Sequence, residues 1–112
     1  MKLFVYGTLM DDARVAELTG QRFRKQPAVL RGYRRLPSGH GYPYVVPEAG
    51  GVVDGFLLRD VTAEALRAFD RYEEEGRYYR RTEVEVEVAG RRESAMTYVG
   101  IAAQLTRSAR DD

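Results

Sequence analysis

The chain has 112 residues, 44% of them apolar and 31% charged, with a net charge of +1 and no cysteine. That balance predicts one soluble domain over 1–112, and it excludes a disordered chain, disulfide or thiolate chemistry, and a strong field for nucleic acid. The lone histidine, His40, leaves no partner for a metal pair. No apolar run nears the ~20 residues of a membrane span and no signal-peptide core opens the chain, so a cytoplasmic location is the default expectation.

Residues 2–6, "KLFVY", read as a short buried strand broken by Gly7. "DDARVAELTG" reads as a helix capped by Asp11 or Asp12 and ended by Gly20. From Phe23 to Leu36 the pattern is extended, interrupted by Pro27 and Gly32. Residues 37–51, dense in Gly and Pro, are expected to form an ordered loop with a brief extended piece at Tyr44 to Val46. "VVDGFLL" (52–58) is a strand in which Gly55 marks a bulge or a close backbone approach.

The strongest helix follows, with Thr62 as N-cap, Glu64 at the positive end of the dipole and Val61 able to staple onto Leu66. Glu83, Glu85 and Glu87 alternate with three valines as a half-buried strand, and "AGRR" turns the chain into a partner strand from Ser94 to Val99. The ordered core is expected over about 2–99, with a polar tail after it. Together these elements predict an α+β domain: a small mixed, curled β-sheet with two main helices.

"DRYEEEGRYYRR" (70–81) places three glutamates in a row. With the helix extended from Ala63 through Glu75 and Leu66 set to zero, Phe69 falls at about 300° and Glu73 at about 340°, on the apolar face. Glu74 and Glu75 fall at about 80° and 180°, toward flank and solvent. An inward carboxylate either finds hydrogen bonds or has its pKa raised, and a raised pKa suits a general base near neutral pH. The competing reading is that the helix frays and Glu73 pairs with an arginine.

"VYGTL" (5–9) is the second constellation. A strand, a glycine, a small hydroxyl residue and a helix N-terminus aim free backbone N–H groups at an anion. Neither nucleotide-binding glycine motif is present, and a tight turn with Thr8 as its cap is the plain alternative.

"FVYGTL", "GYPYVV", "FDRYE" and "YYRR", in that order and over roughly residues 2–99, resemble the γ-glutamylcyclotransferase-like family, which includes the AIG2-like proteins. The resemblance implies a small barrel-like α/β fold with a cavity. It implies cleavage of a γ-glutamyl amide by its own α-amine, releasing 5-oxoproline and a free amine, without metal or organic cofactor. Glu73 matches the family's catalytic glutamate, and the backbone of Tyr6, Gly7, Thr8 and Leu9 would surround the glutamyl portion. Tyr78 and Tyr98 are candidates to line the cavity, with Tyr33 and Tyr42 behind them; core packing is the alternative for each.

The chain departs from the family pattern in two places. The glycine that often follows the catalytic glutamate is delayed to Gly76, and Asp11 and Asp12 put negative charge beside the first loop. These departures bear on substrate identity rather than on fold. The expected partner is a small γ-glutamyl molecule, with no nucleic acid and no membrane; the sequence does not set the oligomeric state. A non-catalytic small-ligand binder on the same fold is the second reading. Nucleic-acid binding through "RGYRR" and "RYYRR" is a third, opposed by the near-neutral charge.

Overall fold

A computed structural model describes residues 1–37 and 43–101 of the protein. Expectations for His40, Tyr42 and the polar tail from residue 102 onward lie outside the described residues.

Five strands and two helices follow one another: β1 (Leu3–Val5), a 3₁₀ turn (Thr8–Met10), α1 (Asp12–Thr19), β2 (Lys25–Leu36), β3 (Tyr44–Leu58), α2 (Ala63–Glu73), β4 (Tyr79–Val88) and β5 (Arg91–Gly100). The strands close into a barrel in the order β1-β3-β2-β4-β5. Pairing is antiparallel except where β1 meets β5 in parallel at Leu3 and Met96, which makes the sheet mixed, as expected.

Alternation along β1 feeds two cores. Phe4 and Tyr6 join Leu30, Val45, Leu57 and Val86 in a cluster with no helix residue, the barrel interior. Leu3 and Val5 face the other way, onto Leu58, Val61, Leu66 and Phe69 beneath the helices. Both helices therefore lie on one outer side of the barrel, over β1.

The helix signals act as written in the sequence. Asp11 accepts the Ala13 N–H and Gly20 ends α1 in the left-handed region at φ 69°. Thr62 accepts the Ala65 N–H at 3.1 Å to open α2. Ala89 and Gly90, at φ 52° and 78°, make the tight turn between β4 and β5.

Two expectations are corrected, and one open choice is settled. Residues 37–51 are not one long loop: β3 starts at Tyr44 and runs on to Leu58. Its glycines serve a bulge, because the register with β2 slips between Arg31 and Tyr33 and a Cβ on Gly51 would lie 2.2 Å from the Tyr33 carbonyl oxygen. At Gly55 the close-approach reading is the right one, since a Cβ there would come within 2.3 Å of the Val5 carbonyl oxygen. Finally, α2 stops at Glu73 rather than Glu75, with Glu74 in the left-handed region at φ 53°.

Candidate active site

The last residue of α2 is the one that matters here. Glu73 is half-buried, whereas Glu74 and Glu75 are exposed. Because α2 holds its register through residue 73, the Glu73 side chain stays on the stripe with Leu66 and Phe69 and points at the end of β1. It enters a narrow cleft lined also by Tyr6, Gly7, Thr8, Leu9, Pro43 and Tyr98. The cleft has about 340 Å³ of free space with its mouth included, yet the centre of a water molecule has only about 20 Å³ in which to move.

Burial alone pushes the Glu73 carboxyl up from its ordinary value to about 7, because low-polarity surroundings disfavour the charged form. Among the described residues no arginine or lysine pairs with it. The fraying alternative, with Glu73 absorbed in a surface ion pair, is not what the structure has.

Opposite Glu73 lies the loop that leaves β1. Its carbonyls are engaged: Gly7 O accepts from the Met10 N–H at 3.0 Å and Thr8 O from the Asp11 N–H at 3.2 Å. Among the described residues the N–H groups of Gly7, Thr8 and Leu9 are given to no backbone or side-chain acceptor. They are donors left over at the start of a short helical turn, where the backbone carries partial positive charge. A Cβ on Gly7 would lie 3.2 Å from Pro43 Cγ, so a larger residue would crowd the slot. Asp11 caps α1, and Asp12 pairs with Lys25 at 3.2 Å.

Two tyrosines complete the walls. Tyr6 donates its hydroxyl proton to the Tyr98 carbonyl, and Tyr98 donates its own to Asp70 Oδ1 at 2.7 Å. Both phenols are held well above their ordinary pKa, first by burial. The Glu73 charge adds to this for Tyr6, and the Asp70 bond does so for Tyr98. They stay protonated at any ordinary pH.

Of the residues singled out in the sequence, Tyr6, Gly7, Thr8, Leu9, Glu73 and Tyr98 meet around this one cleft. Tyr78 does not line it; that ring packs half-buried beneath the Arg77 guanidinium, 4.8 Å away. Tyr33 lines a separate groove between β2 and β4.

Three residues were missed by the sequence reading. Asp70 falls at about 40° on the same helical wheel, beside Leu66 on the inward face, so its phase was available. Tyr72 reaches Thr8 Oγ1 at 2.9 Å and receives Arg14 at 3.2 Å, tying α2 to the loop. Tyr79 is buried and donates to the Pro43 carbonyl at 3.0 Å. Carrying the β4 alternation back from Glu83 puts residues 79 and 81, not 78, on the face that α2 covers. Among the described residues no cluster of acids or histidines is arranged for a metal ion, and no helix is long and apolar enough to cross a membrane.

Comparison with known proteins gives this geometry a lineage. The chain matches the family model "Gamma-glutamyl cyclotransferase, AIG2-like" over residues 3–111. It is 36% identical to Protein AIG2 C of Arabidopsis thaliana over 85 residues, covering 75% of this chain and 50% of that protein. It is 34% identical over 73 residues to AIG2-like protein C of the same plant, covering 64% and 42%. The chain thus spans about half the length, or less, of these curated relatives. A solution structure of an Arabidopsis thaliana protein superimposes with a TM-score of 0.80 at 29% identity, over 89% of this chain and 68% of the other. The crystal structure of an AIG2-like protein from Mus musculus gives 0.75 at 23% identity, over 89% and 76%, a likeness of fold. With the family model covering nearly the whole chain and the barrel shared, this protein belongs to the AIG2-like gamma-glutamyl cyclotransferase family.

Proposed function

We propose that the protein is a cyclotransferase that cleaves a γ-glutamyl amide through attack by the substrate's own α-amine, with Glu73 moving the protons. The observation that carries this reading is a half-buried carboxyl, pushed up to about 7, that shares a narrow cleft with the Gly7–Leu9 loop, whose N–H groups have no acceptor among the described residues. Family membership supports the reaction class.

The steps follow from that arrangement. Glu73 as carboxylate takes one proton from the α-ammonium and frees the nitrogen lone pair. The nitrogen attacks the γ-carbonyl carbon, a C–N bond forms, and the carbonyl electron pair moves onto oxygen. N–H groups of the Gly7–Leu9 loop stabilise that oxyanion. Collapse restores the carbonyl and breaks the bond to the amine half, while Glu73 returns its proton to the departing nitrogen and then relays to it the second proton given up by the ring nitrogen. Of the three ammonium protons, one stays on the lactam nitrogen and two leave with the amine as R–NH₃⁺. A pKa near 7 lets the same carboxyl accept and then release a proton at neutral pH. Because nucleophile and electrophile share one molecule, proximity is already built in, and the slot needs only to fold the chain.

The test is release of 5-oxoproline from a panel of γ-glutamylamines and γ-glutamyl amino acids incubated with the purified protein. The reading expects stoichiometric 5-oxoproline and free amine from at least one of them. Tight binding of such compounds without turnover at any pH would replace it with a ligand-binding role.

A further inference from the structure

Tyr98 lies on β5 directly across from Arg81 on β4, so the two side chains leave the sheet on the same face. Helix α2 covers that face and lays Asp70 between them. One carboxylate oxygen accepts the Tyr98 hydroxyl at 2.7 Å, and the other forms an ion pair with the Arg81 guanidinium at 3.3 Å. All three groups are no more than partly exposed, with the Arg81 and Asp70 side chains at 31% and 24%.

This chain of contacts fixes more than a position. A phenol has one proton and two lone pairs. An ionised carboxylate only accepts, so the Tyr98 proton is committed to Asp70 and turned away from the cleft. What the Tyr98 hydroxyl has left to offer is lone pairs alone. The other phenol there, Tyr6, has likewise given its proton to a protein carbonyl.

We propose that Asp70 is a positioning residue that sets the hydrogen-bonding sense of Tyr98, so that Tyr98 and the ionised form of Glu73 make an acceptor-only end of the cleft selective for a substrate ammonium. The donor end is the Gly7–Leu9 loop, and the cleft is therefore polar from end to end. It orients a chain carrying an amine at one end and a carbonyl or carboxylate at the other. The idea deepens the cyclisation reading and rests on it for the identity of the amine. The charged and titratable groups around the pair are Tyr6 just after β1, Asp70 on α2, and Tyr79 and Arg81 on β4, with Arg35 of β2 donating to the Tyr6 carbonyl at 2.8 Å.

Asp70→Asn tests the sense of the bond directly. Arg81 needs an oxygen, so the new amide turns its nitrogen toward Tyr98 and donates to it. The Tyr98 proton is then released toward Glu73. A hydrogen bond donated to the ionised form of a carboxyl lowers its pKa. Carbon-13 carboxyl titration by NMR should move the Glu73 midpoint down by about one unit in Asp70→Asn. In Tyr98→Phe it should stay within about 0.3 units, because in the wild type Tyr98 gives Glu73 no proton.

A rise of about a unit in Tyr98→Phe would overturn the proposal, since it would mean that Tyr98 had been donating to Glu73. An unmoved midpoint in a folded Asp70→Asn would overturn it too. If Asp70→Asn does not fold, the Tyr98→Phe titration still decides. Neither measurement needs turnover, so a wild-type protein without cyclase activity would sink the reaction and leave this test standing. With an active protein, the acid limb of kcat/KM should follow the midpoint down in Asp70→Asn while KM rises about tenfold or more, the loss expected for one charge-assisted bond.

Discussion

Glu73 has a cost that can be read as a function of pH. Its pKa is raised on folding to about 7, so between the unfolded value and 7 the folded protein holds a proton that the unfolded chain has lost. In that window stability falls as pH rises, and above it the charged carboxylate is destabilising throughout. Glu73→Gln removes that burden. The variant should be more stable than wild type by about 1–3 kcal/mol at pH 8, and equal to it at pH 4, in denaturant unfolding curves. A difference that does not change with pH would mean that the carboxyl is solvated in the folded state. Gaining stability by giving up the proposed proton carrier is what a functional group held at a loss predicts. The inward phase of this residue was legible in the sequence because the helix wheel needs only the start of α2 and its apolar residues. Asp70 was equally in phase, but an acid followed by arginine reads as surface charge until β4 and β5 are folded beside it.

At the scale of elements, the end of α2 decides where the glutamates go. Glu74 takes the left-handed cap at φ 53°, a conformation that favours glycine, and its backbone N–H closes onto Asp70 and Arg71 carbonyls. This accounts for the displaced glycine in the sequence: the fold wants one at 74, and the chain supplies Gly76, also left-handed at φ 88°, two residues later. Glu74→Gly relieves the strained cap and forfeits only an exposed contact to Arg77, at 3.3 Å with both side chains at least half exposed. It should raise stability by about 0.5–1 kcal/mol, read as a higher melting temperature. A lower one would show that the Glu74 side chain contributes more than its conformation costs. The sequence pattern carried the helix too far because periodicity does not register a left-handed turn at a residue other than glycine.

For the molecule as a whole, the barrel closes at a thin seam. β1 and β5 share one register pair, Leu3 with Met96, reinforced by the Met96 N–H on the Lys2 carbonyl at 2.9 Å. Beside it the fully buried Thr97 hydroxyl donates to the Phe4 carbonyl at 2.9 Å. Thr97→Val keeps the shape but removes the donor, and it should cost about 1–3 kcal/mol in chemical denaturation. A neutral substitution would mean that the seam does not depend on that bond. The overall class was legible from alternating valines and glutamates, well-capped helices and a hairpin turn. The length of β3 was not, because Pro47, Gly50 and Gly51 look like loop punctuation in isolation. Only against β2 does Gly51 become the residue that can pass the Tyr33 carbonyl. Closure is a property of pairing between distant segments, and local pattern does not carry it.

One of three adjacent glutamates is unlike the other two. The most direct measurement is the initial rate of 5-oxoproline release at neutral pH for wild type and for Glu73→Gln, Glu74→Gln and Glu75→Gln, each checked for native folding by circular dichroism. Loss of a positioned proton carrier predicts a fall of about 10²–10⁴-fold for Glu73→Gln, with the other two within about twofold of wild type. Comparable losses in all three, or a Glu73→Gln protein that keeps its rate, would contradict it.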